Sequence, residues 1–141
     1  MSLYTEVLED YARHAGLSAK ELLSSHEVVI ADISIGISPE IDQNTGDLIF
    51  FSTLGRPSAQ VKHEKLMQLM LEANGLWVGT GGCTLGLQAG TGVVLLCARL
   101  PLTTINGASL SQALQAFTNV ALLWREVVRG KVSAELPQTI N

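Results

Sequence analysis

The chain reads as a mainly antiparallel α+β domain with the element order α-β-β-β-α-β-β-α. Three observations carry this expectation. Three segments place apolar residues at helical spacing. Five short segments are β-branched runs or alternate with period two. Turn residues stand between most of them. The expected architecture is a twisted antiparallel sheet with three helices.

The first helix is expected over residues 3–15. Leu3, Val7, Leu8, Tyr11 and Ala15 share one face, while Glu6, Glu9, Asp10, Arg13 and His14 take the other. Ser2 supplies a cap and Gly16 a stop. Residues 18–25 carry no clear pattern. Val28, Val29 and Ile30 form a β-branched run, and Ile33, Ile35 and Ile37 then alternate with Ser34, Gly36 and Ser38. Asp32 marks the turn between these strands, and Asn44-Thr45-Gly46-Asp47 marks the next one. A third strand over 48–54 is stopped by Gly55 and Pro57.

A second helix is expected over 59–73, capped by Ser58 and ended by Asn74-Gly75. Gly79, Gly81 and Gly82 form a loop. Strands over 84–88 and 93–100 flank the turn Ala89-Gly90-Thr91-Gly92, and Pro101 ends the second of them. Asn106-Gly107 is a further turn. The last helix starts at a capping box of Ser109 and Gln112. Its apolar face is Leu110, Leu114, Phe117, Ala121, Trp124 and Val128, and Gly130 stops it after the dipole-complementing Arg125 and Arg129. One domain is expected over 1–130, followed by a tail over 131–141.

Composition excludes several functions. The 141 residues are 47% apolar and 16% charged, the balance of a folded chain with a core. Nine basic and thirteen acidic residues leave a net charge of −4 with no basic cluster, which argues against a nucleic-acid partner. The N-terminus has no basic start and no apolar h-region, and no apolar run reaches about 18 residues, so a cytoplasmic protein without membrane insertion is expected.

No catalytic constellation is evident. Cys83 and Cys97 lie too far apart for a CxxC motif and read as buried thiols, each able to meet a histidine only through the fold. His14, His26 and His63 have no second ligand at metal spacing. The loop Val78-Gly79-Thr80-Gly81-Gly82-Cys83-Thr84 lacks both the Lys-Ser/Thr pair of a phosphate loop and GxGxxG spacing. It also leads from a helix into a strand, the wrong way round for an anion site at a helix start. The expectation is no metal, no cofactor and no enzymatic activity. A small cytosolic enzyme or ligand-binding domain using this glycine loop is the alternative.

Two features stand out instead. The second helix is apolar nearly all round, with Leu66, Met67, Leu69, Met70 and Leu71 broken only by Gln68 and Glu72. The strand Val93-Val94-Leu95-Leu96-Cys97-Ala98 is apolar on both faces. Elements covered on both sides in so small a domain point to a second copy of the chain; the competing reading is that they are merely central. A homodimer is expected, with contacts assigned to Leu66, Leu69, Met70, Ala73, Trp77, Val94 and Leu96. The second feature is Leu48-Ile49-Phe50-Phe51, apolar on both faces of its strand. It marks either a binding surface or a strand fully covered by the first helix and the tail.

An ordered series of short motifs carries a resemblance: Leu71-Glu72-Ala73-Asn74, Gly79-Thr80-Gly81-Gly82, Leu85-Gly86-Leu87, Thr91-Gly92-Val93-Val94-Leu95 and Arg99-Leu100-Pro101-Leu102. With Thr53-Leu54-Gly55 and Trp124-Arg125, it resembles the Tir chaperone (CesT-like) family, the class I type III secretion chaperones of Gram-negative bacteria. The likeness is clearest over residues 48–128, and Ile33 to Glu40 departs from it. The resemblance implies a small acidic cytoplasmic homodimer without enzymatic activity. It would bind an N-terminal segment of a secreted effector in extended form and keep it export-competent, with the secretion ATPase as a possible further partner. Strand addition plus apolar pockets is the physical mode. The client contacts are assigned to Val7, Leu8, Tyr11, Ile33, Ile35, Ile37, Ile49 and Phe51.

Overall fold

The computed structural model describes residues 1–131, so the expected tail lies almost wholly outside the described residues. The helices are α1 (Leu3–Ala15), α2 (Ala19–Ser25), α3 (His63–Asn74) and α4 (Gly107–Val128). The strands are β1 (Glu27–Ile30), β2 (Ile33–Pro39), β3 (Asp47–Gly55), β4 (Thr84–Leu87) and β5 (Val94–Pro101). A single 3-10 turn, Gly75–Trp77, follows α3. The five strands form one sheet in the order β1-β2-β3-β5-β4, with antiparallel pairing in β1–β2, β2–β3 and β4–β5. The α+β class and the five strands, three before α3 and two after it along the chain, are as the sequence implies. The helix count is one higher, because residues 19–25 form α2.

The chain divides into two compact units. The first comprises Met1–Phe51 and Arg99–Ala116. Its core is the apolar face of α1 (Tyr4, Leu8 and Tyr11) with Ile33, Ile35, Ile37, Leu48, Phe50, Leu102, Leu110 and Leu114. Helix α1 begins where Ser2 Oγ accepts the Thr5 amide at 3.1 Å, and it ends at Gly16 in the left-handed region. Helix α2 is likewise capped, with Ser18 Oγ accepting the Glu21 amide at 3.2 Å. Seven residues are too few for periodicity to show. Between β1 and β2, Ala31 and Asp32 both have positive φ, the geometry of a tight hairpin turn. Between β2 and β3, the Asp42 carboxylate accepts the amides of Asn44 and Thr45 at 2.7 and 2.8 Å.

Helix α4 starts two residues before the expected capping box. Asn106 Oδ1 accepts the Ser109 amide and Ser109 Oγ accepts the Asn106 amide, each at 2.9 Å. The reciprocal pair is therefore Asn106–Ser109, and Asn106-Gly107 opens the helix instead of forming a separate turn. The Asp10 carboxylate, on α1, accepts the Gly107 amide at 2.6 Å.

The second unit comprises Ser52–Ala98 and the chain from Phe117 onward. Leu54, Leu66, Leu69, Met70, Ala73, Leu85, Val94, Leu96, Phe117, Ala121, Trp124 and Val128 are buried. Helix α3 begins at His63, four residues later than expected. Ser58 does not cap it: its amide donates to Val128 O at 3.1 Å, and Val61 N closes a turn onto Ser58 O. Ser58 is thus tied to the end of α4, and α3 starts after Lys62 without a side-chain cap.

Candidate partner-binding surfaces

Strand alternation sorts the expected client residues onto two opposite faces. Ile37 pairs with Phe50, and Val28 with Ile35, so Ile33, Ile35 and Ile37 look inward with Phe50. Gly36 pairs with Phe51, and Ser38 with Ile49, on the outer face. Val7, Leu8 and Tyr11 of α1 are also buried. Six of the eight candidate residues are therefore enclosed by the chain's own first unit. Ile49 is half-buried and Phe51 is 40% exposed.

The outer face of β1–β3 has its own structure. Glu27, Gly36 and Phe51 form one row across the strands, flanked by Val29–Ser34 on one side and Ser38–Ile49 on the other. Val29 is 62% exposed. The Phe51 ring lies flat over Gly36: a Cβ built at Gly36 would stand 2.5 Å from Phe51 Cζ. Only glycine leaves room for this ring, which becomes an aromatic plate on an open sheet face. In the sequence Gly36 stands with Ser34 and Ser38 as one of the residues alternating with the isoleucines, and nothing local ties it to Phe51. At the end of this face Arg99 binds Glu40 at 2.7 Å and Asp47 at 2.9 Å.

Beside the edge strand β1 runs a groove of about 290 Å³ lined by Leu17, Ser18, Glu21, Leu22, Ser25, Glu27, Val28 and Val29. The opposite edge strand, β4, is occupied at Leu85. The Asn74 side chain accepts the Leu85 amide at 2.9 Å and donates to the Leu85 carbonyl at 2.8 Å, imitating a neighbouring strand. Sequence reading gave Asn74 only the role of a helix stop.

In the second unit, Leu66, Leu69, Met70, Ala73, Val94 and Leu96 are buried within the single chain, and of the expected dimer residues only Trp77 is exposed, at 56%. Leu71, Leu76 and Leu87 of the same unit are also exposed, Leu76 at 84%. Leu76 and Trp77 both hold left-handed backbone, φ 58° and 57°. Such conformations cost side-chain-bearing residues on the order of 1–3 kcal/mol each.

The glycine loop is engaged internally. Trp124 Nε1 donates to Gly79 O at 2.9 Å, buried Thr80 donates its hydroxyl to Cys83 O, and a Cβ at Gly81 would stand 3.0 Å from Val120 Cγ2. Burial, with a smaller contribution from Cys97, pushes the Cys83 thiol up to about 11, away from thiolate chemistry. His26 is held by Tyr4. The Tyr4 hydroxyl donates its one proton to Ile37 O at 3.1 Å, which leaves His26 Nδ1, 2.8 Å away, as the donor to the Tyr4 oxygen. Burial pushes the Tyr4 phenol up to about 12. Among the described residues no cluster of three or more His, Cys, Asp or Glu is placed to hold a metal ion, and no helix is long and apolar enough to cross a membrane.

The described residues thus present an exposed aromatic ring on the outer sheet face, exposed apolar side chains on strained backbone, and a glycine loop turned to packing. The chain belongs to the Tir chaperone protein (CesT) family, whose model matches residues 8–125. No curated protein matches it. Among solved structures it is similar to the HopA1–SchA chaperone–effector complex, with 16% identity, 88% of this chain and 94% of that chain covered, and a TM-score of 0.68. It is similar to the ExsC–ExsE complex, with 16% identity, coverage of 92% and 98%, and a TM-score of 0.70. It is also similar to the Yersinia pestis type III secretion chaperone SycH in complex with a fragment of YscM2, with 22% identity, coverage of 85% and 98%, and a TM-score of 0.64. These likenesses establish a shared fold.

Proposed function

We propose that this chain is a cytoplasmic type III secretion chaperone. It acts as a homodimer that holds the N-terminal segment of a secreted effector in extended form, and it catalyses no reaction. Family membership supports the general role. The observation that carries the binding mode is the Phe51 ring laid over Gly36 on an uncovered sheet face. An extended segment gains apolar contact there. A neighbouring stretch of the same segment gains backbone hydrogen bonds by adding to β1, the edge that has a groove beside it, whereas β4 is blocked at Leu85 by Asn74. The client contacts shift accordingly: Ile49 and Phe51 touch the client, while Val7, Leu8, Tyr11, Ile33, Ile35 and Ile37 shape the strands from beneath. The second copy seats on the patch of Leu71, Leu76, Trp77 and Leu87, with Leu66, Leu69, Met70, Ala73, Val94 and Leu96 supporting it from inside.

The test is capture from the native host with the wild-type chain and with Phe51→Asp, followed by mass spectrometry. Expected is a partner retained by the wild type and lost by the variant, with its protected segment near its N-terminus. A partner held equally by both proteins would place the client elsewhere.

A further inference from the structure

Charge is unevenly divided between the two units. The first holds nine of the thirteen carboxylates but three of the nine basic side chains, a net charge of −6. The second holds four acidic and six basic residues, a net charge of +2. The acidity of the whole chain is therefore the acidity of the unit that carries the outer β1–β3 face.

On that face the charges frame the apolar plate. Glu27 shares a row with Gly36 and Phe51, and its hydrogen-bond partner is the neutral Ser34 hydroxyl. Glu40 and Asp47 lie side by side, joined by the Glu40 amide to Asp47 O bond at 2.8 Å. Arg99 binds both carboxylates, so this trio keeps one net negative charge. Glu40 follows directly after β2 and is four residues from Gly36, at most about 13 Å at roughly 3.3 Å per extended residue. The Ser38–Ile49 row lies between them.

We propose that the segment seated on this face is basic, with an apolar residue flanked two positions away on each side by lysine or arginine. This rests on the client reading above and adds its chemistry. An extended chain running along the strands puts residues i, i+2 and i+4 on the same side. The middle residue then meets Ile49 and the Phe51 ring. The outer two reach Glu27 at one end and the Glu40–Asp47 pair at the other. The net charge of the unit draws such a segment in and disfavours an acidic one, an effect that salt weakens.

The test uses the full chain and three labelled peptides that differ only at the flanking positions: Lys-Ser-Leu-Ser-Lys, Gln-Ser-Leu-Ser-Gln and Glu-Ser-Leu-Ser-Glu, each in the same Gly/Ser frame. Fluorescence anisotropy at low salt is expected to rank Lys above Gln above Glu, with about tenfold between the extremes. The gap closes at ~0.5 M salt. Glu27→Gln narrows it several-fold and leaves the Gln peptide unchanged, while Phe51→Ser weakens all three. Equal affinities at low salt, a preference for the Glu peptide, or no binding by any peptide would overturn the proposal. Equal affinities that are all lost in Phe51→Ser would sink the basic requirement yet leave the client reading intact. Affinities indifferent to Phe51→Ser would remove the face itself.

Discussion

Trp124→Phe is the most informative single change in the second unit. The indole is fully buried, and its N–H donates to the Gly79 carbonyl at 2.9 Å. Phenylalanine keeps an aromatic ring, so much of the packing survives. It removes the donor and leaves a buried carbonyl without its partner. The stranded acceptor costs about 1–3 kcal/mol, and the missing part of the indole adds a small cavity. A loss of about 2–4 kcal/mol is expected in all. Urea unfolding at one fixed protein concentration measures it, because self-association would otherwise shift the midpoint. The midpoint should fall with an unchanged slope. If Trp124→Phe unfolds at the wild-type midpoint, the indole bond does not anchor the glycine loop, and that loop's structural reading falls.

Four further outcomes are expected. Gly107→Ala sets a Cβ 2.5 Å from the Asp10 backbone and should cost about 1–3 kcal/mol, whereas Gly86→Ala, with nothing within 4 Å, should be close to neutral; thermal melts compare them. The Gly107 amide, with help from Arg13, holds the Asp10 carboxyl below the usual carboxylate range against partial desolvation. Its contribution is therefore complete above the unfolded value near pH 4 and fades as pH falls below that value, so the wild type's margin over Asp10→Asn should shrink between pH 6 and pH 3. Trp77→Asp combined with Leu71→Asp should turn the dimer into a monomer in sedimentation at micromolar concentration, since each buried large apolar side chain contributes about 1.5–3 kcal/mol; an unchanged sedimentation coefficient would put the subunit contact elsewhere. Leu76→Gly should raise the stability of that monomeric background, because glycine holds φ 58° without strain.

Legibility in the sequence followed the range of the interactions. The ends of α1 were readable because Ser2 and Gly16 act within three or four residues. Helix α4 was readable in extent, yet its start was misplaced, since both Asn106 and Ser109 are competent caps and the reciprocal bonds plus Asp10 choose the first. Ser58, the expected cap of α3, instead bonds Val128, seventy residues away in the sequence, which no local pattern carries. Period two gave the alternation of β2 correctly. It could not say which face the chain covers: that depends on the register pairing Ile37 with Phe50 and Gly36 with Phe51. The same limit applied to α3, where Leu66, Leu69, Met70 and Ala73 turn inward and Leu71 turns out. The glycine of the ring seat and the asparagine of the blocked edge were both visible as letters, and their partners were 15 and 11 residues away.

Hydrogen exchange of the full chain, with and without its captured partner, tests the central claim most directly. The account expects slowed exchange in β1 (Glu27–Ile30) on binding, because strand addition ties down the edge amides. It expects less slowing in β4 (Thr84–Leu87), whose Leu85 amide is already held by Asn74. Protection that appears at β4 while β1 exchanges as in the unbound chain would contradict it.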